Sequence, residues 1–177
     1  PYWCGFFVQA PCRTYVNYND PRLIEKYYSQ MKEWFKYVDK YTVDGLLKRW
    51  PDTKYRDWYL GDWLAPMGVD AGNQASVDLV SNCFISECLS TMYKTAITLG
   101  KREEAEEFAI RREKLNKMIH QTFYRADEGI YSTGSQLDKC YPMLVGVVPD
   151  SLYNKVKENV VMMTEEKHKG HIAVGLV

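Results

Sequence analysis

The chain has 177 residues, enough for one domain with a core of its own, and 46% of them are hydrophobic. Its 23 basic and 23 acidic residues cancel. That removes the global positive field which draws proteins to nucleic acid or anionic membranes. No apolar run approaches the ~20 residues of a membrane-spanning helix.

The five cysteines, Cys4, Cys12, Cys83, Cys88 and Cys140, are odd in number and lack metal-ligand spacing. This argues against a complete disulfide framework and against a zinc site. The compartment is left open. The chain opens at Pro1 without a signal-type segment and closes on the apolar run His171 to Val177. The expectation is a segment of a larger protein, spanning 1–177 as part of one domain.

In chain order, residues 4–18 are apolar and aromatic with Pro11 inside, which predicts a kinked first helix. Asn19-Asp20-Pro21 breaks and restarts the chain: Asp20 can cap, and proline suits a first helical position. Ile24, Tyr27, Tyr28, Met31, Trp34, Phe35 and Val38 then recur at three-and-four spacing, which predicts an amphipathic second helix. Asp44-Gly45 is a turn signal. A third helix over 75–99 is apolar nearly all round and is expected to be buried, with Gly100 as its C-cap. A fourth, from Lys101, is charged outside its Ala105, Phe108, Leu115 and Ile119 stripe. Asp127-Glu128-Gly129 makes a turn into a short extended piece. A fifth helix is expected near 136–147, a sixth from Pro149-Asp150, and a further apolar helix from His171.

No stretch sustains two-residue alternation, so little sheet is expected. Buried and charged helices alternate three times over. This predicts an all-α fold of about three helical hairpins plus the start of a further inner helix. Such alternation suits part of an α/α toroid, with a plain solenoid as the other arrangement.

The stretch Asp57-Trp58-Tyr59-Leu60-Gly61-Asp62-Trp63-Leu64-Ala65-Pro66 fits no helix. Gly61 permits unusual backbone, Pro66 stops helix continuation, and carboxylates alternate with aromatics. Aromatic faces can stack on a sugar ring while a carboxylate accepts its hydroxyls. Alternatively Trp58 and Trp63 plug a helical core and Asp62 caps a turn. His120 is expected at the surface near a helix C-terminus, where a cation suits the dipole. His168 and His171, with Glu165 or Glu166, are weak metal candidates, and no metal is expected. His171 can instead donate a hydrogen bond at a funnel rim. Gln136 is either a helix-start residue or a rim contact.

These residues meet a family. Pro1-Tyr2-Trp3 before an apolar helix, Asn19-Asp20-Pro21 before a Tyr-rich helix, Gly61-Asp62-Trp63-Leu64-Ala65, Leu99-Gly100-Lys101, Gln136, Val148-Pro149, and Gly170-His171-Ile172 with Gly175 occur in order over essentially the whole chain. In this the chain resembles the catalytic domain of bacterial α-L-rhamnosidases, glycoside hydrolases with an (α/α)6 barrel. The resemblance implies removal of terminal α-L-rhamnose by an inverting acid/base mechanism, with carboxylates about 6.5–9.5 Å apart. It places the general acid glutamate upstream of the segment matching Trp3 and the general base downstream of that matching His171. No catalytic residue is therefore expected within this segment, and none is expected to act if the segment is isolated. The residues carried over as substrate-binding are Trp3, Asp62 and Trp63; Asp57 and Trp58 match no motif. No cofactor is implied. The implied partners are a rhamnose-containing glycoside or polysaccharide and the rest of the same polypeptide. The other readings are an α/α-toroid glycosidase or lyase of different specificity, and a non-catalytic helical carbohydrate-binding or scaffolding module. Glutamates at the two flanking positions would decide for an enzyme.

Overall fold

A computed structural model of the chain describes residues 2–49, 59–62 and 74–175. Among these residues are six α-helices: α1 (Tyr2–Tyr18), α2 (Arg22–Asp39), α3 (Gln74–Thr98), α4 (Arg102–Phe123), α5 (Gln136–Leu144) and α6 (Asp150–Met162). Two ribbons of two-residue strands join them: β1 (Thr42–Val43) with β2 (Leu46–Leu47), and β3 (Tyr124–Arg125) with β4 (Ile130–Tyr131), both antiparallel. A π-helical turn, Met163–Lys167, follows α6. No helix of the described residues is long and apolar enough to cross a membrane.

Helix α2 buries Ile24, Tyr28, Met31, Phe35 and Val38, the predicted stripe. The Asp20 carboxylate accepts the Arg22 N–H at 3.1 Å, so the expected cap forms ahead of the helix. Helix α1 continues through Pro11. Helix α3 ends in a Schellman motif. Gly100 has φ +72°, its N–H reaches the Ile97 carbonyl, and the Lys101 N–H reaches the Ala96 carbonyl at 2.8 Å. The Asp44-Gly45 turn has positive φ at both residues, 51° and 79°, and closes the β1–β2 ribbon. Asp-Gly at both central positions is what a tight two-residue hairpin demands.

The helices pair as α1/α2, α3/α4 and α5/α6, and α3 also packs on α1 and α5. This puts α1, α3 and α5 in an inner layer and α2, α4 and α6 outside, three hairpins of an α/α toroid. Across the α2–α4 contact, Glu104 meets Lys32 and accepts from the Tyr28 hydroxyl at 3.3 Å. The Lys32 ammonium holds the Glu104 carboxyl below the usual carboxylate range.

Inner helices run the same way. Along α1 and α3, Gly5 lies against Phe84, and Gln9 meets Cys88 and, at 2.8 Å, the Thr91 hydroxyl. A Cβ on Gly5 would lie 2.3 Å from Phe84 Cε1, so glycine sets how closely α1 approaches α3. The N-termini of the inner helices therefore share one rim.

Two expectations change. Residues 171–175 do not open a helix. Two of their N–H groups are taken instead by side chains: Ala173 N–H by Gln136 Oε1 and Gly175 N–H by Asp62 Oδ1. His120 is half-buried rather than a surface cation. Its ring stacks on Tyr124 at 4.9 Å and its Nδ1 lies 2.7 Å from the Tyr131 hydroxyl, because the β3–β4 ribbon folds back over the end of α4. Burial pushes its pKa down.

Candidate functional site

Among the described residues, the rim at the inner-helix N-termini is built from three pieces of chain: the ribbon and residues 59–62 before α3, the loop before α5, and the segment after the π turn. Each is held by polar side chains.

The approach to the rim is fixed by Asn82 of α3, which is fully buried. Its Oδ1 accepts the Leu47 N–H at 2.8 Å and its Nδ2 donates to the Leu47 carbonyl at 3.0 Å. The buried Tyr59 hydroxyl donates to the same carbonyl at 3.2 Å, and burial pushes the phenol pKa upward. Gly61 then sits on the first turn of α3. A Cβ there would come within 3.2 Å of Val77 Cα, a backbone atom that would have to shift to make room. Glycine is thus needed for close approach and not for a left-handed φ, which is the geometry the sequence reading allowed it.

Asp62 is buried, with 7% of its surface exposed, and its Oδ1 accepts the Gly175 N–H at 2.7 Å. Gln136, the first residue of α5, is equally buried. Its Oε1 accepts the Ala173 N–H at 2.6 Å, and its Nε2 donates to Thr164 Oγ1 at 2.7 Å and to the His171 carbonyl at 3.4 Å. Gln136 is therefore the helix-start residue offered for it, and its amide also holds the 171–173 backbone.

Beneath them Asp138 is fully buried. It accepts from Ser76 Oγ at 2.7 Å, tying α5 to α3, and from Thr133 N–H at 3.1 Å and Thr133 Oγ1 at 2.5 Å. Its own N–H is capped by Ser135 Oγ. The sequence reading passed over Asp138 and Ser76. The signal was Ser135-x-x-Asp138, the spacing of a capping box. Next to it Lys139 is buried, with Nζ 3.6 Å from Met163 Sδ, and burial pushes its pKa down.

Of the residues carried over from sequence, Asp62 lies in the rim with Gln136 and the 171–175 segment. Trp3 stands on the first turn of α1, 65% exposed. Gly5 is level with Phe84 and Gly61 with Val77, so Trp3, two residues before Gly5, is set back by roughly 8 Å of helix rise along α3. Trp63, Asp57 and Trp58 lie outside the described residues. Among the described residues no three His, Cys, Asp or Glu side chains converge to hold a metal, and all five cysteines are free.

Residues 1–177 match the family described as the bacterial alpha-L-rhamnosidase 6 hairpin glycosidase domain. The chain belongs to this family. A curated relative, the alpha-L-rhamnosidase of Alteromonas sp. (strain LOR), is 22% identical over 182 residues, covering 99% of this chain and 19% of that protein. The domain thus spans about a fifth of the length of that relative.

Solved structures share the fold of the domain. Streptomyces avermitilis α-L-rhamnosidase, complexed with L-rhamnose, superposes with a TM-score of 0.77 at 20% identity, covering 96% of this chain and 15% of that one. The native Aspergillus terreus enzyme gives 0.80 at 20% identity, covering 98% and 20%. The six-hairpin family accounts for the layering seen here, in which the described residues form three hairpins and the inner helices share a rim.

Proposed function

We propose that the protein carrying this domain removes terminal α-L-rhamnose from rhamnosides with inversion at the anomeric carbon. One glutamate protonates the departing oxygen, and a second activates the attacking water from the opposite face. Both lie outside residues 1–177. The domain itself supplies substrate shape: Trp3 and Trp63 as aromatic faces, with Asp62 in the same rim segment. No cofactor enters this chemistry. The observation that carries the reading is the match of all 177 residues to a glycosidase domain.

The test uses the full-length protein on an aryl α-L-rhamnoside, with the first-formed sugar followed by proton NMR. The β-anomer should appear first; the α-anomer would overturn inversion, and no turnover would favour a binding module. Trp63→Ala should lower kcat/KM by about 10²-fold, the equivalent of ~3 kcal/mol of transition-state stabilisation. Its melting temperature should move by only a few degrees, on the order of 1 kcal/mol. A buried structural plug would reverse that ratio, since removing a buried Trp costs ~3–5 kcal/mol of stability. The segment 1–177 alone should show no hydrolysis.

A further inference from the structure

Two buried side chains from separate elements grip one edge of the segment His171–Gly175. The Gln136 amide meets the His171 carbonyl and the Ala173 N–H, flanking Ile172 on both sides. That is the pairing one residue of a parallel strand would make. Asp62 takes the Gly175 N–H, two residues further along the same edge. Both side chains are almost wholly removed from solvent, at 5% and 7% exposed. The Asp62 atom facing the segment is engaged with backbone. A carboxylate makes a stronger acceptor for that N–H than a neutral group. Gln136 also reaches Thr164 on the π turn, so a single amide joins α5, the end of the α6 helical run and the segment beyond.

We propose that Asp62 and Gln136 are positioning residues, a two-point clamp that fixes segment 171–175 as a wall of the sugar-binding rim. On this view Asp62 acts on substrate through that wall, and not by touching the sugar. The functional half of the proposal rests on the rhamnosidase reading; the clamp itself does not.

The experiment uses the full-length protein and the variants Asp62→Ala, Asp62→Asn, Gln136→Leu and Asp62→Ala with Gln136→Leu. Backbone amide exchange at Ala173 and Gly175 is measured beside kcat and KM on an aryl rhamnoside. Asp62→Ala and Gln136→Leu should each lower kcat/KM by about 10–100-fold, the scale on which a misplaced site loses rate. Asp62→Asn, whose Oδ1 can still accept the Gly175 N–H, should recover most of the Asp62→Ala loss. Protection at Gly175 should fall in Asp62→Ala and at Ala173 in Gln136→Leu. The double variant should be little worse than the poorer single one, because both act through one segment.

Multiplying losses in the double variant, or Asp62→Asn as poor as Asp62→Ala with Gly175 still protected, would overturn the proposal in favour of direct sugar contact. If the protein turned over no rhamnoside, the rhamnosidase reading would fail, and the exchange data would still decide for or against the clamp. Should Asp62→Ala not fold, Asp62→Asn and Gln136→Leu carry the same comparison.

Discussion

Asn82→Leu removes a buried amide that holds the ribbon to α3, and its cost can be worked from the contacts. The amide makes three bonds: one from the Leu47 N–H, one to the Leu47 carbonyl and one to the Asp78 carbonyl. After substitution the Leu47 carbonyl keeps the Tyr59 hydroxyl. The Asp78 carbonyl lies within α3 and keeps its place in the helix. The Leu47 N–H is stranded in a residue 2% exposed. An orphaned buried N–H costs about 1–3 kcal/mol, and a lost ordinary hydrogen bond adds about 1. The expected destabilisation is therefore about 2–4 kcal/mol, and the Leu47 amide should exchange on the order of 10²-fold faster in the full-length protein. Asn82→Asp keeps the acceptor but turns the donor into an oxygen facing two carbonyls, so it should do no better. Amide exchange by NMR or mass spectrometry reads both variants. A Leu47 amide as protected in Asn82→Leu as in the parent would refute the reasoning.

Three further outcomes are expected. Gly5→Ala should lower the urea midpoint, because the new Cβ meets Phe84 and Trp34. Overpacking costs about 1–3 kcal/mol and outweighs the ~1 kcal/mol gained in helix propensity; a raised midpoint would refute it. His120 should titrate by NMR below the ordinary histidine pKa of about 6.5, since burial disfavours its cation. Stability is then complete above that ordinary value and falls as pH drops toward the folded pKa. His120→Phe should remove this acid-side loss, and identical pH slopes would count against it. The segment 1–177 expressed alone should associate, because Trp3, Phe6, Val16 and Tyr18 on α1 and Leu144, Met162 and Ile172 at the other side are exposed. Light scattering after gel filtration would detect this, and a monodisperse monomer would contradict it.

Helix periodicity makes the layers legible in the sequence. The stripe of Ile24 to Val38 and the all-round apolar α3 each announced which face they bury, and Gly100 announced where α3 stops. What sequence could not show was the use of long-range polar pairs. Asn82 and Leu47 are 35 residues apart, and Asp62 and Gly175 are 113 apart. No local pattern encodes such pairs. The apolar character of His171–Val177 read as helix for the same reason. Hydrophobicity alone does not reveal that buried side chains elsewhere have claimed the backbone N–H groups. His120 was misread because the ribbon covering it is contributed by residues beyond the helix end.

These long-range pairs have a common cause. A rim that binds a ligand must present irregular backbone, since loops carry the contacts. Irregular backbone leaves N–H and C=O groups without ladder partners, and such groups are costly when buried. In a layer of helices the inner-helix side chains facing that backbone are the groups within reach. Asn82 and Gln136 are both amides, and each offers a donor and an acceptor a peptide's width apart, so each can stand in for a missing strand. A charged or purely apolar residue cannot do this for both groups at once. The polar residues buried at this rim therefore divide from the aromatic ones by task. Amides and the Asp62 carboxylate hold the irregular backbone still. Fixing the wall in advance removes the cost of ordering it on binding, so stacking can go into affinity and orientation.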